Sequence, residues 1–144
     1  MEPWRAAVDA ALARHGGRRT ALVQILREVQ ETMHWLPREL LRAVAEGVGL
    51  TPVVVEGVAG FYRFFHLRPV GRVHLLWSDN VTDRFAGSRE LAADLCRRLG
   101  VAPGEGAADG SVSVGFASCT GLGDQGPALL VNQHRVLTRM DTAR

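Results

Sequence analysis

Arg68-Pro69-Val70-Gly71-Arg72-Val73-His74-Leu75-Leu76-Trp77 is the stretch at which the chain changes its period. Upstream of it, apolar residues return every three or four positions. From Val73 to Trp77 they crowd together, with only His74 between, for the length of a strand, and the polar stretch Ser78-Asp79-Asn80-Val81-Thr82-Asp83 follows. A helical period that gives way to strand-like runs across a Pro and a Gly predicts a boundary at that point. The chain is therefore read as two units, a small helical bundle over 1–67 and an α/β (or α+β) module over 68–144.

Working outward toward the N-terminus, Trp4, Val8 and Leu12 fall four apart, and Gly16-Gly17 stops that helix. Thr20 is placed to cap a second helix, in which Leu22, Ile25, Leu26, Val29 and Met33 form one stripe. Trp35-Leu36-Pro37 breaks it, with Pro37 as the first residue of a third helix. There Leu40, Leu41, Val44, Ala45 and Val48 repeat until Gly49. Thr51 and Pro52 open a fourth, expected to run to Phe65. Helices this short do not persist alone, so their apolar faces must meet one another or a partner. Phe61, Tyr62, Phe64 and Phe65 hold four of the nine aromatic residues, suited to packing the bundle onto the second unit or to docking a partner.

Toward the C-terminus, Ser88 is placed to cap a helix over Arg89–Leu99 that Gly100 ends. Val112, Val114 and Phe116 alternate as a strand. Ala128–Val131 and Val136–Thr138 read as an apolar run and its return across Asn132-Gln133-His134, for a β-α-β-β order. The chain stops at Arg144, just after Asp141-Thr142, where a helix could begin; a truncation, or a domain cut from a longer polypeptide, is expected.

Composition bounds the function. The 144 residues are 47% apolar and 22% charged, which excludes a disordered or fibrous chain. All 17 basic residues are Arg and the formal charge is +2, with both signs interspersed, so nothing favours nucleic acid. Two cysteines, Cys96 and Cys119, are too few for a disulfide scaffold and point to a reducing, cytoplasmic compartment. No apolar run approaches the roughly 18 residues of a membrane span, and Met1-Glu2-Pro3-Trp4-Arg5 carries no secretory signal.

Two loops stand out as places where a site would be built. One is Ser78–Asp83; the other is Ser118-Cys119-Thr120-Gly121-Leu122-Gly123-Asp124-Gln125-Gly126-Pro127-Ala128. The usual chemistries are incomplete there. His15, His34, His66, His74 and His134 show no metal-ligand spacing. Asp79 and Asp83 lack an accompanying nucleophile or phosphate cradle, and Ser78 and Ser118 lack a neighbouring His. There is no Cys-x-x-Cys and no dinucleotide fingerprint. Cys96 lies mid-helix beside Leu95 and Leu99, a core position, whereas Cys119 could serve as a redox thiol. No catalytic residue is expected in this chain.

Several segments taken in order resemble a known family. Leu36-Pro37, the helix Leu40 to Val48, and Val55-Glu56-Gly57-Val58-Ala59-Gly60-Phe61-Tyr62-Arg63-Phe64-Phe65 are similar to the helical region of the thioredoxin-like [2Fe–2S] ferredoxin subunit of NADH dehydrogenases. The likeness continues through Arg68–Arg72 into the strand. With Ser78-Asp79-Asn80 and the 118–132 loop, it is greatest to the version fused at the N-terminus of the diaphorase subunit of NAD-reducing hydrogenases and related formate dehydrogenases. The resemblance implies a helical bundle followed by a thioredoxin-like domain. It also implies an oxidoreductase complex in which a partner diaphorase subunit or domain binds FMN and NAD beside further Fe–S subunits.

Cluster-bearing members carry a Cys-x4-Cys pair after the first strand and a Cys-x3-Cys pair in the later loop. The matching positions here are Ser78, Asp83, Cys119 and Gly123. A [2Fe–2S] cluster needs four strong donors, normally thiolates, and hard oxygen donors suit it poorly. The expectation is a degenerate ferredoxin module, an accessory or structural part of an NADH-oxidising complex, with no cofactor or metal of its own. The alternatives are an electron-transfer [2Fe–2S] protein with unusual ligation through Cys119 and oxygen donors, and a thiol enzyme using Cys119.

Overall fold

The structure, a computed structural model, describes residues 3–142, so the chain end at Arg144 lies outside the described residues. It divides into two compact units, the first ending at Pro69 and the second beginning at Val70.

The first unit is all helical: α1 (Pro3–His15), a short 3-10 turn (Arg19–Ala21), α2 (Leu22–Met33), α3 (Arg38–Val48) and α4 (Pro52–Phe61). The stripes read from the sequence form its core. Val8 and Ala11 of α1, Ile25, Leu26 and Val29 of α2, Leu40, Val44 and Val48 of α3, and Val55 and Ala59 of α4 are all buried in one cluster. Three local features differ from the sequence reading. Thr20 falls inside the 3-10 turn, and no side chain caps α2. Pro37 stands as the extended residue before α3 rather than as its first helical residue. The fourth helix ends at Phe61, because Gln30 of α2 competes for the following backbone: its Nε2 donates to the Phe64 carbonyl and its Oε1 accepts from the His66 N–H, both at 2.7 Å. Those bonds hold 64–66 out of the helical path. Phe65 is buried in the bundle core and Phe64 packs against it, whereas Phe61 is exposed.

The second unit runs β1 (Val73–Ser78), α5 (Val81–Phe85), α6 (Ser88–Leu99), β2 (Val112–Ala117), β3 (Leu129–Val131) and β4 (Arg135–Leu137). The sheet order is β2-β1-β3-β4, with β1 and β2 parallel and the remaining pairs antiparallel. Parallel neighbours need a long crossover, which α5 and α6 supply. As an inner strand of the sheet, β1 is buried from His74 to Ser78, hence the apolar run Leu75-Leu76-Trp77 with no polar alternation. Leu75, Trp77, Val114 and Leu129 pack with Ala92 and Cys96 of α6, which places Cys96 in the core as its context predicts. Ser88 is the first residue of α6 and makes no capping bond; Gly87 precedes it, and Gly100 ends the helix in the left-handed conformation. No helix among the described residues is long and apolar enough to cross a membrane.

Candidate functional site

Both loops singled out in the sequence meet at one end of the sheet. Because β1 and β2 run in parallel, Ser78 and Ala117, their last residues, sit side by side in register. The second loop leaves from Ala117 and returns at Ala128, and both ends are tied to the first loop by backbone. Asp79 N–H donates to the Ala117 carbonyl at 2.8 Å, and Ser78 N–H donates to the Ala128 carbonyl at 3.1 Å. The C-terminal ends of parallel strands are where such sheets place their ligands.

Val81, Thr82 and Asp83, read from the sequence as part of the Ser78–Asp83 loop, instead open the one-turn helix α5. Asn80 begins it: its side-chain Oδ1 accepts from Asp83 N–H at 2.8 Å and from the Thr82 hydroxyl at 2.6 Å. An Asn followed three residues later by an acid is the pattern of a helix start, and it is the signal that could have revealed α5. Burial on α5 is inverted. Asp83 is its only buried residue, at 0% exposure, while Val81 and Phe85 point to solvent, Phe85 at 91%.

The four positions carried over from the ferredoxin resemblance are placed unequally. Ser78 and Asp83 come together in the interior, where the Ser78 hydroxyl donates to Asp83 Oδ2. Gly123 lies against Asn80: a Cβ built on it would stand 3.7 Å from Asn80 Nδ2. Cys119 is exposed, and its Sγ accepts from Gly121 N–H at 3.2 Å. One position offers sulfur, one offers no side chain, and two offer oxygens already committed to each other. That donor set does not fit a four-thiolate [2Fe–2S] cluster. Among the described residues, no three His, Cys, Asp or Glu side chains group as metal ligands.

A residue that sequence reasoning did not single out completes the arrangement. Gly126, which precedes Pro127 through a cis peptide, faces Asp83 so closely that a Cβ on it would stand 1.8 Å from Oδ1. That oxygen has no hydrogen-bond partner among the described residues. Only the glycine count of the loop hinted at such an approach.

Among the titratable side chains of the second unit, Asp79 beside the site and His74 away from it are shifted from their ordinary ranges. Asp79 accepts paired hydrogen bonds from Arg84, at 2.8 and 3.0 Å, and from Arg89, at 3.2 and 3.3 Å. These bonds hold its carboxyl at about 2, below the usual carboxylate range. At the opposite end of β1, His74 is buried with Nδ1 2.8 Å from the Ser113 hydroxyl, which also accepts from Gly71 N–H at 2.9 Å. Burial pushes the His74 imidazole down from its ordinary pKa.

The chain is similar to known proteins over most of its length. Residues 8–144 match the family described as thioredoxin-like [2Fe-2S] ferredoxin. The chain is 36% identical over 128 residues to NADH-quinone oxidoreductase subunit 2 of Thermus thermophilus, covering 89% of this chain and 71% of that one. It is 30% identical over 129 residues to an NADH-quinone oxidoreductase subunit of Escherichia coli K12, covering 90% and 78%. Among solved structures it is similar to an NAD+-reducing [NiFe]-hydrogenase in the air-oxidized state, with a TM-score of 0.70 and 32% identity. That match takes in 86% of this chain and 21% of the hydrogenase chain, so this chain spans about a fifth of it.

Proposed function

Since the chain belongs to the thioredoxin-like [2Fe-2S] ferredoxin family, we propose that it is an accessory module of an NADH-oxidising or NAD-reducing diaphorase complex and carries no cluster of its own. It sits in the cytoplasm beside a flavin- and NADH-binding diaphorase subunit or domain, with FMN, NAD and further Fe–S centres held by those partners. The names of its relatives, NADH-quinone oxidoreductase subunits and an NAD+-reducing hydrogenase, support the complex. The observation that carries the clusterless reading is the donor set: one exposed thiol at four positions, with Ser78 and Asp83 hydrogen-bonded to each other. The module then serves by filling and stabilising its place in the assembly.

Cys119 and the family match favour one second reading, an electron carrier ligated by that thiol and oxygen donors. Anaerobic purification decides between them. The clusterless module holds no stoichiometric iron or sulfide and shows no reduced-state EPR signal; an iron-to-chain ratio near two with charge-transfer absorption overturns it. Cys119→Ala should leave NADH oxidation by the parent complex intact, whereas a thiol enzyme or a Cys119-ligated carrier would lose activity.

A further inference from the structure

We propose that Asp83 and Gly126 are a matched pair. The Asp83 carboxylate takes the space that any side chain at 126 would fill, and the Ser78–Asp83 couple closes the junction of the two loops where the family's fold places metal. The inference rests on the clusterless reading and gives it a structural cause.

A carboxylate is rarely buried without strong partners, because removing it from water is expensive. Asp83 is nonetheless the one residue of α5 turned inward. Its Oδ2 accepts from Ser78, the last residue of β1, while Oδ1 has no hydrogen-bond partner among the described residues. Oδ1 is pressed instead against the backbone of Gly126, where a Cβ would stand 1.8 Å from it and 3.0 Å from Cγ. Separations of that size are a clash, not a contact. The carboxylate has little room to withdraw, because Asn80 fixes the Asp83 backbone N–H from one side and Ser78 holds Oδ2 from the other.

The two loops therefore interlock at Gly126 against Asp83, where a bare backbone of the second loop meets a polar side chain of the first; at Gly123 a Cβ would stand 3.7 Å from Asn80 Nδ2, an ordinary contact. In a metal-bearing site the loops would be joined through shared ions; here side-chain volume at Asp83 and the backbone bonds from Asp79 N–H to Ala117 and from Ser78 N–H to Ala128 join them.

The test is a double-mutant cycle on the full 144-residue chain, with wild type, Gly126→Ala, Asp83→Ala and the double variant compared by thermal unfolding. In parallel, iron and sulfide uptake by wild type is measured after anaerobic reconstitution with ferrous iron and sulfide. Overpacking a filled site should lower the Tm of Gly126→Ala by about 10 °C. With the carboxylate gone, adding Gly126→Ala should move the Tm by less than about 2 °C. If Gly126→Ala does not fold at all while the double variant does, that rescue is the same result read more strongly. Additive effects in the cycle, with no iron taken up by wild type, overturn the pairing and leave the clusterless reading standing. Two irons bound by wild type overturn both.

Discussion

Replacing Gln30 by Leu isolates the contact that ends α4. The side chain is 7% exposed, so the substitution keeps most of the packed volume and removes the polar groups. Two short bonds are lost, Nε2 to the Phe64 carbonyl and the His66 N–H to Oε1. At about 1 kcal/mol net for each bond, and about 1 kcal/mol more for backbone groups left facing an apolar side chain, the loss is about 3 kcal/mol. For a unit of this size, with a urea m-value of about 1.5 kcal/mol/M, the unfolding midpoint should fall by about 2 M. Urea titration read by hydrogen exchange of peptides from α2 and α3 follows the bundle directly, and the His66 amide should lose protection first. Gln30→Glu keeps an acceptor for His66 but turns a carboxylate oxygen toward the Phe64 carbonyl, so it should be no more stable than the Leu variant. A Leu variant within about 0.3 M of wild type would refute the claim that these bonds, rather than aromatic packing, hold the segment.

Three further outcomes follow from the second unit. Burial lowers the His74 pKa, so below about pH 6.5 the unfolded chain binds more protons than the folded one. Stability is complete above that pH and declines as pH falls; urea midpoints at pH 7.5 and 5 should show the decline, and His74→Gln should flatten it. Asp79, held at about 2 by Arg84 and Arg89, contributes stability above the ordinary carboxylate range that is lost as pH falls from about 4 toward 2. Because both arginines are largely exposed, the loss caused by Arg84→Ala should shrink in 1 M salt, on the order of a 3 Å screening length. Iodoacetamide should label Cys119 promptly in the native chain and reach Cys96 only after denaturation, since Cys96 is buried and its thiol is pushed up by that burial; mass spectrometry separates the two.

The helical half of the fold was legible because its information is local. Leu22, Ile25, Leu26 and Val29 recur at the helical period and all become core. Its ends were less legible because they answer to distant partners: Gln30, more than thirty residues away, decides where α4 stops. In the second unit the strands and the end of α6 at Gly100 followed from apolar runs and one glycine. The helix α5 was missed because its outward residues are Val81 and Phe85 and its inward residue is an aspartate, the reverse of the pattern that marks amphipathic helices. At the site, the shortage of thiols was legible only once the family resemblance supplied the four positions Ser78, Asp83, Cys119 and Gly123. The role of Asn80, whose Oδ1 accepts from Thr82 and Asp83, went unread because no apolar stripe in its loop marked a helix. The contact of Gly126 with Asp83 spans more than forty residues and leaves no periodic trace.

The inside-out burial of α5 frees its surface. What keeps this turn in place is Asn80 at its start and Asp83 beneath it, so Val81 and Phe85 contribute little to keeping the domain folded. Mutations at those two positions can accumulate without threatening the scaffold, and whatever selective pressure acts on them comes from outside the chain.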